Sequence, residues 1–151
     1  IHFPRTNVGR TAPPTAVRRQ LPKCSGMDAE ARIEEYYDAL EAGDPLGPFF
    51  ADNDGVVKFG ISERLVGGDA VRQGLREQTE RTADWDVDSG ALRVTDRDCH
   101  AWFSDSVVLS WRDTEAGTSY TFETRWSGAL EARGDSKPVF VGMHVSTANP
   151  F

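Results

Sequence analysis

The amino-acid sequence predicts an α+β domain in which helices come first and a curling antiparallel sheet follows. Three observations support this fold class: helical apolar patterns up to residue 82, alternating strand patterns from residue 85 onwards, and a length of 151 residues, which suits one domain. Because short connections join successive strands, we expect a meander whose one face is covered by the helices.

The first predicted helix begins near residue 27 and ends at Gly43. Ser25 and Asp28 stand at capping-box spacing, and apolar side chains then recur at i, i+3, i+4 and i+7, the pattern of one helix face. Asp44 and Pro45 open a short second helix, as an N-cap and a proline at the first helical position. The apolar stripe of the first helix comprises Ile33, Tyr36, Tyr37 and Leu40, and the second helix is anchored by Leu46, Phe49 and Phe50.

One strand and one helix complete the first half of the chain. Residues 55–61 (GVVKFGI) form a β-rich strand, and a third helix is expected from about Ala70 to Thr82, weakened by Gly74. Four long antiparallel strands follow. They comprise residues 85–95 with a bend at Ser89-Gly90, residues 99–113, and the two arms of a hairpin between Thr121 and Ser146 that turns at Gly134-Asp135.

The last hairpin carries large side chains on both faces. In its first arm Thr124 and Trp126 fall on one face and Arg125 on the other, as the two-residue period of a strand requires. In its second arm the more convincing core face lies opposite His144. That core face comprises Val139, Val141, Met143 and Val145.

The charge distribution excludes some partners. Residues 1–26 contain five basic and no acidic side chains, whereas the remainder is acidic and the chain carries a net charge of −7. Phosphate binding needs clustered Lys and Arg, so we expect no nucleic-acid partner, and without an apolar run of 18 residues we expect no membrane partner. An Asp-rich, Lys-poor sequence is typical of proteins from salt-loving prokaryotes.

The N-terminal segment and the cysteines predict a cytoplasmic protein. Residues 1–26 contain four prolines and no apolar period, so we expect a disordered basic extension, or sequence upstream of a true start at Met27; a nucleic-acid-binding tail is the alternative. Cys24 and Cys99 match no metal-binding spacing. Because Cys24 falls in that segment, we expect no structural disulfide and a reducing cytoplasm.

Six short motifs occur in a specific order along residues 27–151. They are YYDALEAGD (36–44), PLGPFFAD (45–52), VGGDAVRQGL (66–75), AWFS (101–104), RWS (125–127) and HVS (144–146). Together they resemble the SnoaL-like branch of the nuclear transport factor 2-like superfamily. The resemblance implies a cone, a curved sheet around a long helix with an interior pocket, and a homodimer through the outer sheet face. The superfamily includes isomerases, cyclases, dehydratases and non-catalytic association domains, so the fold does not fix the function.

Three residues are candidates for chemistry. Tyr36 resembles the oxyanion-donating tyrosine of ketosteroid isomerase, although a helix stripe also predicts a core tyrosine. Arg125 resembles a pocket arginine of calcium/calmodulin-dependent kinase association domains and would bind an anion inside the cone; a structural ion pair is the alternative. His144 would act as an acid or base, the usual role of a histidine in catalysis, or else lie on the outer sheet face at a dimer interface.

The pocket itself is expected to be apolar and aromatic. Steroid isomerase chemistry is not expected, because the strand at residues 55–61 offers no acid before Glu63, and the second aspartate that this chemistry requires is missing where Thr124 and Arg125 stand. Acids that alternate at Asp84, Asp86 and Asp88 are expected to be a solvated edge rather than a metal site. The expected pocket residues are Phe49, Phe59, Trp85, Trp111 and Met143.

The sequence therefore predicts a domain that binds a small organic molecule and forms a homodimer. Any chemistry would be that of an isomerase, cyclase or dehydratase, with no cofactor or metal, and we find no phosphate-binding loop, HExxH or nucleophile-elbow motif. The alternative is a non-catalytic module that dimerises and packs against a partner through its sheet.

Overall fold

Two helices cover one face of a large, curved, unclosed mixed sheet, so the predicted α+β class is confirmed. The computed structural model describes Cys24 and residues 27–148; the expectations for the rest of residues 1–26, including Ser25, lie outside these residues. The elements are α1 (Ala29–Ala42), a 3₁₀ helix (Gly47–Phe49), β1 (Val57–Phe59), β2 (Arg64–Val66), α2 (Gly68–Arg81), β3 (Thr82–Ser89), β4 (Arg93–Asp96), β5 (His100–Asp113), β6 (Thr118–Arg133) and β7 (Ser136–Thr147).

The sheet order is β2-β1-β7-β6-β5-β3, and β4 also pairs with β5. All pairs are antiparallel except β1 with β7, which is parallel. Strands β5, β6 and β7 form a long antiparallel meander that makes up most of the sheet, and the short strand β1 pairs with β7. In the described part of the chain, neither helix is long and apolar enough to cross a membrane.

Helix α1 lies against the inner face of the sheet and forms the centre of the core. Asp28 caps it by accepting a hydrogen bond from the Ala31 amide at 3.0 Å, and Gly43 ends it with a φ of 73°, as its sequence position predicts. The fully buried Tyr36 packs edge-to-face against four aromatic rings around it. These rings are Phe49, Phe50, Trp126 and Phe140.

Helix α2 packs closely on β2, a three-residue strand that the sequence analysis missed. A Cβ atom at Gly74 would lie only 2.5 Å from a methyl carbon of Leu65. The residue that weakens the helical pattern is therefore the one that permits this packing. The predicted strand over residues 85–95 is also two strands, β3 and β4, separated where the Gly90 amide donates to the Ser106 carbonyl at 2.8 Å.

Strand β7 departs from the simple alternation that its sequence predicts. Phe140 pairs with Leu130 and Gly142 pairs with Ala129, which leaves Val141 as an extra residue, a β-bulge. The bulge moves the buried positions by one residue, so that Phe140 is fully buried and Val141 is not. The core face expected for this strand is therefore correct only beyond the bulge, at Met143 and Val145.

A disulfide joins Cys24 to Cys99, so the expectation of no structural disulfide is wrong. The two Cα atoms are 5.0 Å apart, within the range that the bond requires. Composition predicts an independent tail that includes Cys24, but Cys24 lies beside the β4–β5 turn, which contains Cys99. Sequence spacing carries no information about that proximity.

Candidate active site

A cavity of about 300 Å³ opens between α1, α2, the loop from β1 to β2, and the inner face of the sheet. This volume is at the lower end of the range for small-molecule sites, so the ligand must be small. The described residues that line it include Tyr36, Leu40, Lys58, Ile61, Glu63, Trp85, Leu109, Trp111, Trp126, Met143 and Val145.

An ion pair between a buried lysine and a partly exposed glutamate forms the polar centre of the cavity. Lys58 is only 4% exposed, and its Nζ atom donates to Oε1 of Glu63 at 2.6 Å. Lys58 lies on the inner face of β1, opposite Met143 of β7. Glu63 returns towards it because a tight turn closes the loop, with the Gly60 amide donating to the Glu63 carbonyl at 3.0 Å. A charged pair at an otherwise apolar wall requires both partners, since either alone is costly to bury.

The Tyr36 hydroxyl is the second polar group of the cavity. It forms no hydrogen bond within the described residues. Because none of the side-chain oxygens described is both fully buried and without a hydrogen-bond partner, the Tyr36 oxygen is accessible from the cavity. Burial raises the pKa of Tyr36 well above 10.0, and the negative charge of Glu63 raises it further. The hydroxyl therefore stays protonated at neutral pH and is available to donate a hydrogen bond to a ligand oxygen.

Three tryptophans give the cavity flat aromatic walls. Trp85 and Trp111 stack with ring centroids 4.9 Å apart, and Trp85 is held by a 2.8 Å hydrogen bond from its indole nitrogen to Thr82. Trp126 donates at 2.9 Å to Thr124, which in turn donates to the Val107 carbonyl. The mouth is polar and is formed by Glu77, Gln78, Arg81 and Asp113.

Of the five expected pocket residues, Trp85, Trp111 and Met143 line the cavity. Phe49 does not line it; its ring packs on Tyr36 and lies 4.0 Å under the Arg32 guanidinium. Phe59 lies on the outer sheet face, 37% exposed, because its neighbour Lys58 takes the inward position.

The structure does not bring Arg125 and His144 together with Tyr36. Both side chains are exposed on the outer face of the sheet, and His144 lies 5.5 Å from the Phe59 ring. The expectation of Arg125 as an anion anchor inside the cone therefore does not match the structure: Trp126 is buried, so its neighbour in the strand faces outwards. Among the described residues Arg125 also forms no ion pair, which was its alternative role.

Sequence reasoning missed Lys58 and assigned no role to Glu63. The available signal was the order Val57-Lys58-Phe59, in which alternation allows either the lysine or the two apolar residues to face inwards. Choosing the apolar residues was wrong because the cavity, rather than the core, lies under this strand. Glu63 follows in a loop, where the sequence predicts no direction for a side chain.

A buried carboxylate, that of Asp105, lies away from the cavity and is structural. Asp105 is 5% exposed and accepts hydrogen bonds from the Tyr37 hydroxyl at 2.8 Å, the Ser89 hydroxyl at 2.5 Å and the Ala91 amide at 3.0 Å. This network joins α1 to the turn between β3 and β4. The alternating acids of β3 are exposed as expected, namely Asp84, Asp86 and Asp88.

Comparisons with known proteins agree with this architecture. The sequence pattern of the SnoaL-like domain family matches residues 29–150. A candidate scytalone dehydratase from Novosphingobium aromaticivorans superposes with a TM-score of 0.67 at 14% identity, over 80% of this chain and 81% of its own. A ketosteroid isomerase-like protein from Erwinia carotovora atroseptica gives 0.66 at 15% identity, over 80% and 94%.

A third similar structure is named as an association domain rather than as an enzyme. It is a candidate calcium/calmodulin-dependent protein kinase type II association domain from Thiobacillus denitrificans, with a TM-score of 0.65 at 18% identity, over 82% of this chain and 97% of its own. No curated protein matches the chain by sequence. At these identities the superpositions establish the fold alone.

Proposed function

Because the chain belongs to the SnoaL-like domain family, we propose that its cavity binds a small aromatic carbonyl compound and moves a proton at the carbon beside the carbonyl group. One observation carries this proposal: the Lys58–Glu63 pair and the Tyr36 hydroxyl line the same tryptophan-walled cavity. The flat tryptophan walls can stack on an aromatic ring, and the polar cluster can bind the oxygen of a carbonyl group next to that ring.

Each polar residue has a role in such a reaction. The Glu63 carboxylate accepts the proton from the ligand carbon, which leaves an enolate whose negative charge is on oxygen. The Tyr36 hydroxyl donates a hydrogen bond to that oxygen, and the Lys58 ammonium stabilises the negative charge. Returning the proton to another carbon is an isomerisation, and loss of a hydroxide from the next carbon, as water, is a dehydration.

The names of similar structures support this reaction class. A candidate scytalone dehydratase and a ketosteroid isomerase-like protein share the fold, and their names are those of a dehydration and an isomerisation. The acids of the steroid isomerase arrangement are absent here. Thr124 faces inwards where the second acid would be required, and its hydroxyl donates to the Val107 carbonyl and accepts from the Trp126 indole nitrogen. Glu63 therefore supplies the base from a different position.

Proton exchange on a simple probe tests the proposal directly. We expect the protein to accelerate exchange of the acidic carbon-bound protons of β-tetralone for deuterium in D₂O, followed by NMR. Glu63→Gln removes the base and should lower the exchange rate by about 10²-fold or more. Glu123→Gln is the matched control, because Glu123 is exposed on the outer sheet face, and it should leave the rate unchanged. Equal rates for both variants, or no exchange above buffer, would contradict the proposal.

A second candidate is a non-catalytic association module. Four large apolar side chains are more than a third exposed on the outer faces of the strands, which is typical of a surface covered by another protein. They are Phe59, Val66, Trp102 and Val108. If this is the function, Trp102→Glu should convert a dimer to a monomer in sedimentation, and the protein should show no deuterium exchange activity.

A further inference from the structure

We propose that the Lys58 amine reacts covalently with the carbonyl group of the cavity ligand and forms an imine with it. This inference rests on the proposed function, because it requires a carbonyl compound in the same cavity. It changes the chemistry of the site: the proton would be removed from a carbon beside a protonated imine, which is a far better electron acceptor than a neutral carbonyl.

The position of Lys58 meets the geometric needs of a nucleophile. It extends from the middle residue of β1, which is hydrogen-bonded to β2 on one side and β7 on the other, so its backbone is fixed on both edges. Its side chain is 5% exposed and lines the cavity, and its ammonium group is paired with Glu63. A ligand that enters the cavity therefore meets the amine nitrogen next to a proton acceptor.

The choice of lysine at this position also favours chemistry over a structural ion pair. The chain contains fourteen Arg and three Lys, and most of the ion pairs among the described residues use Arg, as in Arg72–Asp52 and Arg112–Asp84. A guanidinium forms two parallel hydrogen bonds to a carboxylate and remains charged, so it serves a structural pair well but cannot act as a nucleophile. Lysine is the basic side chain that can lose its proton and attack carbon.

The step is balanced by the groups that the cavity provides. Glu63 takes a proton from the Lys58 ammonium, and the free amine forms a bond from nitrogen to the carbonyl carbon. Tyr36 protonates the carbonyl oxygen and regains a proton from the nitrogen of the adduct, and the proton held by Glu63 then converts the resulting hydroxyl group to water, which leaves. Nitrogen forms the double bond to carbon and keeps one proton. Overall, ammonium and carbonyl give a protonated imine and one water, with Glu63 again a carboxylate and Tyr36 again a phenol. No oxidant or reductant is consumed.

Reductive trapping tests the proposal in a chain that suits it, because only Lys23, Lys58 and Lys137 and the terminal amine can react. The full chain would be incubated with β-tetralone and sodium cyanoborohydride, digested at acidic residues and mapped by mass spectrometry. We expect one stable adduct, on Lys58. Lys137 is the internal control, since its side chain is 65% exposed and lies outside the cavity. Lys58→Arg should lose the adduct while it keeps a positive charge beside Glu63.

Labelling in urea distinguishes reactivity that the fold confers on Lys58 from the intrinsic reactivity of a lysine in this sequence. In the unfolded chain Lys58 and Lys137 should be labelled equally, so a preference for Lys58 that vanishes in urea supports the inference even if Lys58→Arg fails to fold. Labelling of Lys137 but not Lys58 in the native protein overturns it. If deuterium exchange occurs without an adduct, the imine is wrong and the proposed function stands; if neither occurs, both are wrong.

Discussion

Tyr36 links the protonation state of the cavity to the stability of the protein. Its folded-state pKa is raised above 10.0, first by burial and then by the charge of Glu63. Above about pH 10 the unfolded chain loses this proton while the folded chain keeps it, so folding stability is complete below that pH and falls as the pH rises. Tyr37 contributes in the same direction, because burial and its hydrogen bond to Asp105 also raise its pKa.

The Tyr36→Phe variant should therefore lose less stability at alkaline pH than the native protein. Urea unfolding between about pH 8 and pH 11 measures this, and the expected result is a shallower decline, with part of the decline retained through Tyr37. Because the phenylalanine ring keeps the four aromatic contacts, stability at neutral pH should change little. An equally steep alkaline decline in both proteins would show that the hydroxyl is not held in its neutral form.

At the level of single residues, the sequence predicted positions within a helix better than directions within a strand. Tyr36 was predicted correctly to lie on the apolar face of α1, because the helical period was supported by four residues. Arg125 was placed in the cavity by analogy, although the alternation of its own strand, with Trp126 next to it, favours the outer face. Lys58 was missed because three residues are too few to define which face of a strand is inside.

The close packing of β6 on β7 makes Gly128 the most constrained glycine of the sheet. A Cβ atom there would lie 2.4 Å from the Gly142 carbonyl oxygen and 2.9 Å from the Phe103 ring. Both are too close for carbon, and the nearer atom is backbone that cannot rotate away. Gly128→Ala should therefore destabilise the protein by about 1–3 kcal/mol, as overpacking in a core does.

Gly142→Ala is the matched control for this prediction. Gly142 belongs to the strand paired with Gly128, but a Cβ atom there would meet only the Val57 carbonyl oxygen at 4.0 Å. In urea unfolding, the free energy of unfolding should fall strongly for Gly128→Ala and only slightly for Gly142→Ala. Equal shifts would mean that the loss of a strand glycine, rather than the contact with Phe103 and the facing backbone, determines the cost.

At the level of elements, the sequence predicted the order of helices and long strands but not their interruptions. The hairpin turn at Gly134 was predicted because turn residues separate two alternating runs, and the structure places it there with a φ of 56°. The bulge at Val141 is set by pairing with β6, and the break between β3 and β4 is set by pairing with β5. A single strand's pattern contains no information on how many residues its partner opposes.

At the level of the whole molecule, the two faces of the sheet carry different sets of residues. The inner face, with the helices, encloses the cavity and its Lys58–Glu63 pair, whereas the outer face carries Arg125, His144 and the exposed apolar side chains. Because successive residues of a strand alternate between these faces, adjacent residues have different surroundings. This is why a motif such as RWS does not mark one site: its arginine and its tryptophan serve opposite faces.

The Cys24–Cys99 disulfide closes a loop that contains both helices and the strands β1 to β4. The two cysteines are separated by 75 residues in the sequence. Restricting the unfolded chain over such a loop stabilises the folded state by about 4 kcal/mol in the chain-entropy account. Disulfides are typical of oxidising compartments and rare in the reducing cytoplasm, so this bond does not fit the cytoplasmic location expected from the sequence.

The double variant Cys24→Ser/Cys99→Ser should therefore unfold at a lower urea concentration than the oxidised protein, by a difference that corresponds to about 4 kcal/mol. Dithiothreitol should lower the stability of the native protein towards that of the double variant and leave the variant unchanged, which makes the variant the control for the reductant. Trapping free thiols with an alkylating reagent at the moment of cell lysis measures the state of the pair in its host. Complete alkylation of Cys24 and Cys99, together with equal stability of the two proteins, would show that the bond contributes nothing to this fold.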